Sequence, residues 1–148
     1  MKKQLVLGAG YFQVDDRVLW NPSNGVARVF VRTAEVLVPE AELPTGLGPM
    51  VEDECQVDMA AFTAFVRALI GRYEASNHRI LRSLMEDFIA VALVLVERGG
   101  GTLRPSDPPV GWQDVQAGPG TELPPSDQRG GTERWAALVA EYARAMPH

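Results

Sequence analysis

Apolar residues run unbroken through Phe88-Ile-Ala-Val-Ala-Leu-Val-Leu-Val96, closed by Asp87 and Glu97. The run is too short to cross a bilayer, which takes about 20 apolar residues. Upstream, Ile80, Leu84, Met85 and Phe88 recur at helical spacing, so the run reads as the last turns of a helix ending near Arg98. A helix that is apolar all round must be covered on every side. Three covers are available: the chain's own C-terminal helix, a second copy of the chain, or a partner.

The same patterning predicts the other elements. Residues 4–20 read as strand, turn and strand, with Tyr11-Phe-Gln-Val14 and Val18-Leu-Trp20 flanking Asp15-Asp16-Arg17. A first helix is expected from Asn24 to Val38, with Val26, Val29, Phe30, Ala34 and Leu37 on its inner face, and with Pro39 ending it. A turn-rich loop, Pro44-Thr-Gly-Leu-Gly-Pro49, precedes an edge strand within 51–57. Asp58 has the chemistry of an N-cap for a second helix, whose stripe is Met59, Phe62, Phe65, Val66, Leu69, Ile70 and Tyr73. Ser76-Asn77 interrupts the pattern before the third helix, as a tight connection or as a kink, and Gly99-Gly-Gly101 stops that helix.

Composition changes at Gly99. Residues 99–131 hold 6 of the 11 prolines and 8 of the 14 glycines, which excludes regular helix or central strand there. Beyond this linker, Trp135, Leu138, Val139, Tyr142 and Met146 mark one face of an amphipathic helix. The expected organisation is an α+β core domain over 1–98, a Pro/Gly-rich linker over 99–131, and a C-terminal helix over 132–148. In the core, a small antiparallel N-terminal sheet packs on three helices.

Length, charge and cysteine content narrow the function classes. A chain of 148 residues is one domain by default. A net charge of −5, with lysine only at Lys2 and Lys3, argues against nucleic acid, whose binding is led by Lys/Arg contacts to phosphate. One cysteine makes no internal disulfide, which fits a reducing compartment. Lys2-Lys3 followed by Leu5-Val-Leu7 is too short for a signal peptide. The chain therefore reads as cytoplasmic, with no membrane span.

At Tyr11-Phe-Gln-Val-Asp-Asp-Arg-Val-Leu-Trp-Asn-Pro-Ser23, and again at Gly46-Leu-Gly-Pro49 with Asp53-Glu-Cys55, the chain resembles a family of short actinobacterial proteins of unknown function. The resemblance covers residues 11–98 and leaves out the linker and last helix. It implies a bacterial cytoplasmic origin and carries no catalytic residues.

Candidate chemistry is sparse. Leu5-Val-Leu-Gly8-Ala-Gly10 resembles the opening of a dinucleotide-binding turn, but Gln13 replaces the third glycine and no helix follows. Glu52, Asp53, Glu54 and Asp58 offer oxygen ligands at a spacing that fits no calcium loop, and a solvated loop with a capping Asp58 explains them. Cys55 as a nucleophile needs a base nearby; its acidic neighbours raise a thiol pKa instead of lowering it. His78, with Glu74 four residues before and Arg82 four after, reads as an imidazole oriented as a base or as part of a surface salt-bridge ladder if the helix is continuous, and the ladder is the favoured reading. Arg72, Arg79 and Arg82 read as a solvated face, with an anion site as the functional alternative. Trp112, alone in the Pro-rich stretch, reads as an anchor onto its own domain. Neither cofactor nor metal is expected.

Two functions follow from this reading. The first is a non-enzymatic interaction or regulatory protein, a homo-oligomer or a protein's partner, working through an apolar helical surface. Phe88, Val91, Leu95, Trp135, Leu138 and Tyr142 are its expected interface. The alternative is a small enzyme or ligand-binding protein. Its pocket would lie between sheet and helices, lined by Tyr11, Trp20, Phe62, Tyr73 and His78, and would hold a small-molecule ligand.

Overall fold

In the computed structural model, residues 11–101 and 131–148 are described. The strand expected before Tyr11, and Trp112 with most of the linker, lie outside them. Strands β1 (Tyr11–Val14) and β2 (Arg17–Trp20) form a hairpin that turns at Asp15-Asp16, with Asp15 at φ 55. A second hairpin joins β3 (Leu47–Val51) to β4 (Glu54–Val57). Its two turn residues, Glu52 and Asp53, both take positive φ, at 51 and 65, as the favoured two-residue hairpin turn requires. The acidic run thus makes its own turn without a glycine.

The sheet order is β2-β1-β4-β3, and the fold is α+β. The sheet is mixed where an antiparallel one was expected. Each hairpin is antiparallel, but the two meet through the parallel pair β1–β4, with Phe12 opposite Cys55. That pairing needs a long crossover, which the intervening helices supply. They are α1 (Asn24–Val36) and the single turn α2 (Val38–Ala41).

Ser23 caps α1 by accepting from the Val26 amide. The inner face of α1 is Ala27, Phe30 and Ala34, followed by Leu37 in the link to α2. It is rotated from the expected stripe. Two alanines let the helix lie close while Phe30 enters the aromatic core, and Val26 and Val29 are turned outward at 49% and 61% exposure. Pro39 does not end α1. It sits in the first turn of α2, where a missing N–H costs nothing.

Gly46, at φ 80, brings the chain tightly onto the next helix; a β-carbon there would lie 2.5 Å from the Phe62 amide nitrogen. Helix α3 (Met59–Ala75) begins at Asp58, whose carboxylate accepts from the Ala61 amide at 3.1 Å. Helix α4 (Arg79–Arg98) follows a true break at Ser76-Asn77. His78 is its N-cap, with Nδ1 accepting from the Leu81 amide, so no continuous Glu74–His78–Arg82 ladder exists. Arg82 is buried instead of solvated. Its guanidinium donates to the carbonyls of Tyr73, Ser76 and Glu74, at and beside the C-terminal end of α3, and lies 4.7 Å from the Tyr73 ring centre. The last carbonyls of a helix lack intrahelical donors, and Arg82 supplies them.

Helix α5 (Gly131–Ala143) packs along α4. Together with α3, α1 and β2 it encloses the apolar run: from Phe88 to Val96 every residue is buried except Val91. The chain's own elements therefore cover what the sequence left uncovered. Phe12, Trp20, Phe30, Phe88 and Phe65 form a continuous aromatic chain through this core, with neighbouring ring centres 4.9–6.4 Å apart.

Candidate interaction surface

Helices α1 and α4 touch where Phe30 stacks on Phe88, ring centres 4.9 Å apart. Around that contact lies an open groove of about 760 Å³. Trp20, Phe30 and Phe88 form its floor. Val26, Val29 and Thr33 line the α1 wall, and Leu84 and Val91 the α4 wall. Beyond the lining residues, Val36 on α1 is 73% exposed and Ile80 on α4 53%, and Leu84 on the α4 wall is 73% exposed. Single exposed aliphatics need no explanation; several on two neighbouring helices beside one groove are the kind of arrangement that interaction sites use. The rim carries one charge of each sign, Arg28 on α1 and Asp87 on α4.

The expected interface residues divide. Phe88 and Val91 reach the groove. Leu95 and Trp135 do not: they are buried within the chain's own core, Trp135 against Tyr73 at 5.0 Å between ring centres. Leu138 and Tyr142 pack half-buried against the same core. Of the alternative pocket, Trp20 alone lines this groove. Phe62 is enclosed under α3, Tyr73 faces Trp135 and Arg82, His78 caps α4, and Tyr11 lies half-buried on β1. Tyr11, Phe62, Tyr73 and His78 are not among the residues lining this groove.

Spacing alone puts Val26 and Val29 on the inner face of α1, and both stand exposed. The signal against that was present in α1: it holds more apolar positions than one face can bury, including Val31 and Val36.

A polar cluster joins α3, α4 and α5. The Tyr73 hydroxyl donates to Glu86 at 2.7 Å, and Arg134 pairs with the same carboxylate. Burial first, then Glu86, pushes the Tyr73 pKa up to about 12. The Tyr142 hydroxyl donates to Asp87 at 2.7 Å, which pushes its pKa up to about 12. Burial also raises Glu74 and lowers Arg82. These pairs hold helices together, and of their members only Asp87 lines the groove. Cys55 is fully buried, donates to the Gly48 carbonyl at 3.2 Å, and is pushed up to about 11 by burial. A nucleophile needs the opposite shift. Among the described residues, no group of His, Cys, Asp or Glu is placed to hold a metal ion.

The described residues thus form an α+β domain with an apolar groove between α1 and α4. The chain belongs to the DUF6086 family, a family of unknown function whose match spans residues 9–148. The match extends past the motifs of residues 11–98 to take in α5, which the core needs for its closure. No curated protein and no solved structure matches the chain.

Proposed function

We propose that the chain is a small non-enzymatic interaction or regulatory protein of an actinobacterial cytoplasm, with the α1/α4 face as its working surface. The observation that carries this reading is the contiguous exposed set Val26, Val29, Val36, Ile80 and Leu84 beside an aromatic-floored groove. The net charge of −5 favours a protein occupant over nucleic acid, and no described helix is long and apolar enough to cross a membrane. A small apolar ligand is the second reading, because about 760 Å³ lies within the usual range for such sites.

A photo-crosslinking residue at position 84, introduced in cells that make the protein, tests this. A saturable protein adduct is expected from position 84, absent from position 97 and abolished by Val29→Asp. Equal labelling from both positions, or none from 84, would overturn the reading.

A further inference from the structure

Resting on that reading, we propose that the occupant of the α1/α4 face is a second copy of the same chain, paired about a two-fold axis that bisects the two helices.

The width of the face argues for a two-helix partner. Exposed aliphatics stand on both helices, with Val29 at 61% on one and Leu84 at 73% on the other. A single inserted helix would fill the groove and leave the outer flanks wet. Rotation about the bisecting axis lays α1 of one copy along α4 of the other, so four helices share one apolar layer. The contact is isologous: each ridge meets the other kind of ridge twice.

Charge selects the same arrangement. Arg28 precedes Phe30 by two residues and Asp87 precedes Phe88 by one, and those two rings stack. At 1.5 Å of rise per residue, both charges lie within about 3 Å of the same level along the groove. The rotation therefore brings Arg28 opposite the other copy's Asp87, twice. Arg28 is exposed and has no ion pair among the described residues. The alternative two-fold, across the groove, lays α1 on α1 and sets basic rim against basic rim.

Size fixes the strength expected. Thirteen-residue α1 is about 20 Å long, and two helices are about 20 Å wide, so the footprint is about 400 Å². That is small beside the roughly 800 Å² per partner of a standard interface, so the dimer is reversible.

Light scattering and sedimentation of the full chain from about 1 to 200 μM test the proposal. A monomer–dimer equilibrium within that span is expected. Leu84→Asp and Val29→Asp remove it, with unchanged circular dichroism because both side chains are exposed. Arg28→Ala and Asp87→Asn, the second keeping an acceptor for the Tyr142 hydroxyl, each weaken it at least tenfold, and the double variant is within threefold of the weaker single one. A monomer at 200 μM overturns self-pairing, while a saturable adduct from position 84 to a different protein would leave the interaction reading standing. A dimer indifferent to Leu84→Asp overturns the face. Fully additive losses in the double variant overturn the two-fold geometry.

Discussion

The Tyr73 and Tyr142 hydroxyls each donate a hydrogen bond to a carboxylate, and Cys55 buries its thiol beside a carbonyl. All three are neutral when protonated, and the fold holds each in that form. The stability they contribute is complete below the ordinary values of 9.0 for the thiol and 10.0 for the phenols. It is lost as pH rises toward about 11 and about 12. Thermal melts are therefore expected to fall steadily from pH 9 upward, and Tyr73→Phe is expected to flatten that fall. An unchanged melting temperature to pH 11 would contradict the cluster. For the same reason, native Cys55 should resist a disulfide-exchange reagent at pH 8 until the chain is unfolded. Asp58→Ala should cost about 1 kcal/mol by removing the cap of α3, with no sensitivity to chelator; a chelator-induced shift in the parent would point to a metal instead.

Among the elements, the strong stripes were legible. Phe62, Phe65, Val66 and Leu69 of α3 and, apart from Val91, the run 88–96 of α4 are buried as their spacing implies. The orientation of α1 was not legible. Valine and alanine differ little in period, and it is close packing around Phe30 that selects Ala27 over Val26. The parallel pair β1–β4 was equally hidden, since local patterning reports hairpins and says nothing about which strands meet across a crossover. The candidate groove escaped for the same reason: it is defined by what α1 leaves unburied. Helix α5 was legible as amphipathic, and it lies on α4. Hydrogen exchange across 135–143 is expected to be slow in the isolated protein, and Trp135→Ala is expected to cost about 3–5 kcal/mol. Complete exchange within seconds would contradict the packing. At the open edge of the sheet, Pro49 stands among exposed Met50 and Val51, and proline there discourages a further strand from pairing.

At the scale of the molecule, Arg98 fastens three distant parts. Its guanidinium donates to the carbonyls of Leu19, Ala143 and Met146, while Arg17 donates back to the carbonyls of Arg98 and Gly99. The Asn21 amide completes the tie by donating to Pro147 at 2.9 Å. Burial lowers the Arg98 pKa, yet three carbonyl acceptors are its reward for staying charged. Arg98→Ala is expected to cost about 3 kcal/mol in urea titration, because charged hydrogen bonds contribute about 1.5–3 kcal/mol and the carbonyls lose their donor. A loss under about 0.5 kcal/mol would show the tie to be incidental.

This tie also sets a timetable for the newborn chain. A ribosome adds about 5–20 residues per second, so Met146 arrives some 2–10 s after Arg98. During that interval β2 and the α5-facing side of α4 are already made but have nothing to close on. The α5-facing side of the apolar run then lacks the cover that the last helix supplies. A stop codon or a ribosomal pause placed just before Thr132 would therefore turn a well-packed protein into a client for degradation.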